Sequence, residues 1–428
     1  MRRPRPAVLA ATVAAALALS ACGGGGSGGS GSNGPAQLTG TGPMTLATGK
    51  DTSGNMQRQV DTWNKAHPAE KVTIRELPES ADAQRQLMVQ NATAKSTTYG
   101  VLNMDVIWTA EFAANGWISQ LDPRDFPLDK MLAPTVETGR YFGKLYAVPI
   151  YSDGGMLYYR KDLLGAAGIA SPPRTWSELT ADCAKVQARS KGIGCYAGQF
   201  DKYEGLTVNF SEAVDSAGGA VVKDGKPAVD SPQARQGLDF LVNGFTKGYI
   251  PRDALTYKEE ESRRAFQAGK LVFQRQWPYE YAKANATDGS STVAGKFAVA
   301  PLPGLTGPGQ STLGGHNYAI STFTEHKKTA LAFMQFMASE ARQRANLETT
   351  SQAPTWASLY DDPALVRQFP YLPILKASIL GAQKRPEAVR YNDVSTAIQT
   401  EAYAALSGQK SSDTALRDLQ ARLATLLK

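Results

Sequence analysis

The residues of this chain that could do chemistry fall into three sets. The first mixes carboxylates with aromatic rings: Asp105, Asp153, Glu259 and Glu260, with Trp277 and Tyr279 on either side of Pro278. Carboxylates accept hydrogen bonds from hydroxyls, and an aromatic ring covers an apolar C–H face, so this mixture suits a polyhydroxylated ligand. It could equally supply the acid and nucleophile of a glycoside hydrolase, with Asp105, Asp153 and Glu259 as the carboxylates. The second set is Cys22, Cys183 and Cys195, and the third is His67, His316 and His326. His67 precedes Pro68 in a polar stretch and His326 stands next to lysines, so neither has the setting of a catalytic base. With so few cysteines and such scattered histidines, no metal site is expected, and no cofactor.

Cys22 stands at the end of a distinctive leader. Arg2, Arg3 and Arg5 precede an uncharged apolar run from Ala7 to Leu19. That run is shorter than the ~20 residues needed to cross a bilayer, and a basic start before a short apolar core reads as a secretory signal. Leu19-Ser20-Ala21-Cys22 resembles a bacterial lipobox. The resemblance implies cleavage before Cys22, a diacylglycerol on its sulfur and a protein held at the outer face of the cell membrane. Residues 1–21 are then the signal peptide. The Gly/Ser-rich stretch within 22–43 is a flexible tether, because it has too little apolar surface to fold. Cys183 and Cys195 form an even pair in an exported chain, which suggests a disulfide closing a short loop; two free buried thiols are the alternative.

Composition bounds the rest. Apolar residues make up 42% of the chain and charged residues 20%, an ordinary globular balance. The formal net charge is +7, but Arg2, Arg3 and Arg5 belong to the signal and the other basic residues are interspersed with acids. A solvated surface explains that pattern, and nucleic-acid binding is not expected.

The elements that must position these residues alternate. MTLAT at 44–48 reads as a strand, 55–67 as a helix stopped by Pro68, 72–77 as a strand, 81–94 as a helix, and 104–108 as a buried strand. This rhythm implies a parallel α/β sheet. Further strands are expected at 145–150, 156–160, 271–276, 296–301 and 317–321. Helices are expected at 176–190, 206–217, 232–247, 259–267, 328–338 and 340–349, and over much of 393–428.

Several segments are similar to bacterial and archaeal extracellular solute-binding proteins of ABC sugar importers, in the trehalose/maltose-binding branch. They are MDVIWTAEFAANGWISQLD, GKLYAVPIYSDGGMLYYRKDLL, PPRTWSEL, KYEGL, EEESRRAFQAGK, QWPYEYA, TLGGHNYAIS and KRPEAVRY, in that order from residue 104 to 391. The resemblance implies a two-lobed α/β fold of the periplasmic-binding-protein type (type II), with a multi-segment hinge and the ligand in the cleft. Lobe 1 would comprise 44–150 and 303–350, and lobe 2 would comprise 151–302 and 351–428. It further implies a monomer that binds a disaccharide by hinge closure and passes it to permease subunits driven by their ATPase. Trehalose leads, with maltose or another α-glucoside next.

Roles carried over from that resemblance are these. Asp105 and Asp153 accept sugar hydroxyls, one from each lobe, and Glu259 or Glu260 is a third carboxylate. Trp277 and Tyr279 form the aromatic platform, and Arg385 donates. Gly314 and Gly315 let backbone approach the ligand beside His316. Ser80, Arg85 and Asp51 are further lobe-1 contacts. Plainer roles suit the same residues: Asp105 as a helix cap, Asp153 as a turn residue, a glutamate of 259–261 as a helix start, Trp277 as core, and Arg385 as an ion-pair partner. The chain departs from the family at His316, where relatives often carry an aromatic or aliphatic residue. It also departs in the first loop, KDTSGNMQ, which lacks a glutamate that some relatives use. A glycoside hydrolase acting on α-glucosides, or a surface sugar sensor or adhesin, are the rival readings.

Overall fold

The computed structural model describes residues 37–51 and 53–427; the signal, Cys22 and the tether up to residue 36 lie outside the described residues. Two sheets organise the chain. The first contains β1 (Met44–Thr48), β2 (Val72–Glu76), β3 (Val101–Asp105), β4 (Ala147–Asp153) and, from far downstream, β9 (Gly314–Ile320), in the order β2-β1-β3-β9-β4. The second contains β5 (Met156–Tyr159), β6 (Gly194–Ala197), β7 (Leu271–Gln276) and β8 (Ala298–Ala300), in the order β8-β5-β7-β6.

Alternation along the strands of the first sheet splits its core into two layers. Leu46, Val101, Val148, Tyr318 and Ile320 pack with Trp63 and Phe333 on one face. Ala47, Leu102, Ala147 and Ala319 pack with Met88, Trp108 and Phe112 on the other. Successive strand side chains point to opposite faces, so both faces must be covered by helices, which is what near-continuous apolar strands require. The second sheet has its own core, from Leu157 and Phe273 through Phe210 and Leu238 to the C-terminal Leu416, Leu419 and Leu423. Two sheets with separate cores make two lobes.

Both sheets are mixed, not parallel throughout as the strand–helix rhythm suggested. β1 runs parallel to β2 and β3, whereas β9 is antiparallel to both β3 and β4. β9 arrives from the other lobe, so its direction is set by the crossing and not by a right-handed βαβ unit. The strand expected over 104–108 is displaced. β3 ends at Asp105, and Val106–Trp108 form a 3-10 turn whose Ile107 N–H donates to Asp105 Oδ1 at 3.1 Å.

The crossings run side by side. Gly155 N–H donates to Ser311 Oγ at 2.6 Å, and Ser152 N–H donates to the Ala353 carbonyl at 3.1 Å. The stretch from 303, expected with the first lobe, is held by the second as far as Leu313. Trp176 N–H donates to the Gly304 carbonyl at 2.9 Å, Leu305 N–H donates to the Ser216 carbonyl at 3.0 Å, and Leu313 packs in the second core. Cys183 and Cys195 are disulfide-bonded within the second lobe, their Cα atoms 5.4 Å apart, linking helix Trp176–Arg189 to β6. No helix among the described residues is long and apolar enough to cross a membrane.

Candidate ligand-binding cleft

Strand register brings the central residues together. β3 and β4 end at the cleft, and β9 begins there. Asp105 on β3 is opposite His316 on β9, and Asp153 on β4 is opposite Gly314, so Asp153 stands on the first lobe's sheet beside Asp105 and does not come from the other lobe as expected. Ligands of open α/β sheets bind at such carboxyl ends of strands. A register shift between His316 and Asn317 marks a bulge at this edge, a device that re-aims side chains. From the second lobe come the first turns of helices Glu204–Ser216 and Glu259–Gln267, and the Trp277–Tyr279 turn after β7.

Asp51, Asp105, Asp153, Glu259, Glu260, Trp277, Tyr279, Gly314, Gly315, His316 and Arg385 line one cavity between the lobes. Ser80 and Arg85 do not. Ser80 is the N-cap position of helix Ala81–Thr93, and Arg85 Nε donates to Glu111 Oε2 at 2.7 Å. Gln84 takes the place expected of Arg85 and faces the cavity. One residue along a helix rotates the side chain by ~100°, so the neighbour looks elsewhere.

Several lining residues do different work from that expected. Asp105 is gripped by Arg385, whose Nη2 donates to Oδ1 at 2.6 Å and Nη1 to Oδ2 at 3.2 Å. Arg385 Nη1 also donates to Glu204 Oε1 at 2.8 Å, and the guanidinium is only 4% exposed. Arg385 is thus an ion-pair partner first, and Asp105 is both turn cap and ion pair. Asp51 caps the entry to helix Met56–Ala66, accepting the Ser53, Gly54 and Met56 N–H groups. Glu260 is engaged by Arg263 (2.6 Å) and by the Tyr279 hydroxyl (2.9 Å), while Glu261 Oε2 accepts the Lys258 N–H as a helix-start residue. The glycine pair serves packing. A Cβ at Gly314 would lie 2.9 Å from the Trp277 ring, and one at Gly315, whose φ is +111°, would strike the Tyr151 carbonyl at 2.4 Å. Gly314 therefore admits the indole, and Gly315 lets β9 approach β4.

What remains free is informative. No hydrogen bond among the described residues occupies the Asp153 carboxylate; burial pushes it up to about 7, with Arg275 opposing and Asp105 adding to the shift. Burial lowers His316 to about 4, so the imidazole is neutral near pH 7, stacked on Tyr151 at 4.9 Å between ring centroids. Burial also raises Glu259. Buried polar atoms without a protein partner collect around the cavity: Gln59 Oε1, Glu79 Oε1, Gln84 Oε1, His316 Nδ1 and Arg385 Nε. Each such atom costs ~1–3 kcal/mol unless a hydrogen-bonding molecule meets it. Trp277 offers one ring face, because the Arg275 guanidinium covers the other at 3.7 Å from the ring centroid.

Tyr151, Tyr203 and Glu204 were not anticipated as site residues, although they lie in the YSDGG and KYEGL segments already singled out. Gln59 and Gln84 carried no signal; a glutamine on a polar helix face looks the same whether it meets solvent or a cleft.

Acceptors and rings supplied from two lobes to one cavity define a solute-binding protein. The chain belongs to the bacterial extracellular solute-binding protein family, matched over residues 48–344. This is a family of binding proteins, not of enzymes. A probable ABC transporter-binding protein of Deinococcus radiodurans is 34% identical over 389 residues, spanning 86% of this chain and 90% of the relative. A mannitol-binding protein of Pseudomonas aeruginosa is 27% identical over 424 residues, spanning 92% and 95%. Among solved structures, maltose-bound MalE3 of T. maritima superposes with a TM-score of 0.86 at 35% identity, covering 90% of this chain and 99% of that one.

Proposed function

We propose that this chain is the solute-binding subunit of an ABC sugar importer, tethered to the outer face of the membrane by a lipid on Cys22 and working as a monomer. Its solute is a disaccharide, trehalose or maltose, held by hinge closure and handed to the permease. The observation that carries this reading is the pairing of an unengaged, half-buried carboxylate at Asp153 with the one open face of Trp277, inside a cavity rich in unpartnered polar atoms. A disaccharide presents hydroxyls on its edges and C–H groups on its faces, which matches acceptors around a ring. Similarity to a maltose-bound protein supports the size of the ligand, and similarity to a mannitol-binding protein sets the competitor.

A thermal-shift panel of trehalose, maltose, mannitol and glucose tests the proposal. A disaccharide at a hundred times its dissociation constant stabilises the protein by ~2.7 kcal/mol. A shift with mannitol and none with either disaccharide would overturn the disaccharide assignment. Release of glucose from trehalose or maltose on incubation would overturn the binding-only role.

A further inference from the structure

Helix Glu204–Ser216 opens the second lobe's side of the cleft without a cap of its own. Its N-cap residue, Tyr203, makes no side-chain cap bond. First-turn N–H groups need partners, and the helix dipole favours a negative charge there. The partner comes from across the cleft: the Glu204 N–H donates to Asp82 Oδ2 at 3.0 Å. Asp82 lies in the first turn of helix Ala81–Thr93, which packs on the first sheet through Met88. It does not line the cavity, although Glu79, Ala81 and Gln84 around it do.

A second interlobe bond meets the first at the same residue. The Glu204 side chain, held by Ser395 Oγ at 2.5 Å and by the Tyr391 hydroxyl, accepts from Arg385, which in turn grips Asp105 of the first lobe. The backbone of Glu204 is therefore bonded to the opposite lobe directly, and its side chain is linked to that lobe through Arg385. Opening the cleft breaks the Asp82 bond and exposes the helix end and the carboxylate to water, where both are hydrated. The bond thus weights the closed state alone.

We propose that Asp82 is a positioning residue for solute binding: it caps the Glu204 helix only when the lobes meet, and so favours the closed state without touching the solute. The inference rests on the hinge-closure reading above. Because a protein binds in proportion to its binding-competent fraction, loss of the cap raises the apparent dissociation constant about tenfold, equivalent to about 1.4 kcal/mol.

The test compares wild type, Asp82→Ala and Asp82→Asn by calorimetry with maltose and trehalose, and by small-angle scattering with and without sugar. Asp82→Ala is expected to bind about tenfold more weakly and to be more extended on average without sugar, yet to reach the wild-type compact form at saturation. Asp82→Asn, whose amide oxygen still accepts the N–H, is expected to recover most of the affinity. The unfolding midpoint of the sugar-free protein is expected to stay put. Wild-type affinity and compactness in Asp82→Ala would overturn the proposal. So would an affinity loss matched by sugar-free destabilisation, with Asp82→Asn no better than Asp82→Ala. A wild type that no sugar compacts would instead sink the hinge-closure reading, while a more extended sugar-free Asp82→Ala would still support the cap.

Discussion

Arg275 and Arg385 are both buried in ion pairs, and they differ in whom they hold. Arg275, 1% exposed, stays within the second lobe. Its Nε and Nη2 donate to Glu212 at 2.7 and 2.6 Å, Gln199 accepts a third bond, and the guanidinium carbon lies 3.7 Å from the Trp277 ring centroid. Arg385 instead spans the lobes, with Asp105 on one side and Glu204 on the other, and its Nε is left without a partner. The first arrangement is complete in itself and makes a rigid floor for the indole. The second draws its partners from both lobes. The same buried charge can thus serve as a platform or as a joint, and the difference lies in whether its partners belong to one lobe or to two.

That contrast has measurable edges. The largest effect is expected from Arg275→Met, which leaves Glu212 buried without its counter-charge. Breaking a buried pair costs ~3–5 kcal/mol. Urea unfolding should show a loss of this size both without and with sugar, because the platform exists in both states. A loss confined to the sugar-bound form would erase the distinction between the two arginines. Next comes Asp105→Asn, which keeps an acceptor for the Ile107 N–H and removes the charge facing Arg385. Sugar affinity by calorimetry should fall about tenfold, ~1.4 kcal/mol, with little change in sugar-free stability. Equal losses in the two measurements would make Arg385 a platform like Arg275.

The smallest effect concerns Asp153, which neither arginine bonds. Its carboxyl is raised to about 7, above the ordinary ~3.9. The sugar-free fold therefore keeps the proton across that interval. The stability this provides is full below ~4 and is lost as pH rises through about 7. A sugar hydroxyl donates better to the ionised form, so affinity should rise severalfold between pH 6 and pH 8. Asp153→Asn should flatten that slope. An unchanged slope in the variant would assign the titration to another group.

Much of the fold was legible because it is local. Periodicity located the helices at 232–247 and 259–267 and the strand at 271–276 to the residue, helped by breakers beside them: Pro232 opens the first, Gly248 follows it, and Gly269 separates the other two. The strand at 104–108 was misplaced because the apolar run Val106–Trp108 continues past its true end; what ends β3 is the Asp105 side chain folding back on the Ile107 N–H. The site was legible in its membership more than in its roles. The carboxylates, Trp277 and the glycine pair sit in the resembling segments, and they line the cavity. Arg85 fails because a helix periodicity of 3.6 separates it from the cleft-facing Gln84, and Ser80 is taken up at the N-cap position of the same helix.

By itself the sequence determined the alternating elements and a stock of acceptors and rings suited to a hydroxylated ligand. These follow from residue type and from spacing within one element, which chain order preserves. Only the tertiary structure decided that Arg385 holds Asp105 across 280 positions, that Gly314 makes room for Trp277, and that Asp82 caps a helix of the other lobe. Hydrogen bonds and ion pairs act over about 3 Å, and which distant side chains come that close is set by the packing of two lobes around a hinge, not by their order along the chain.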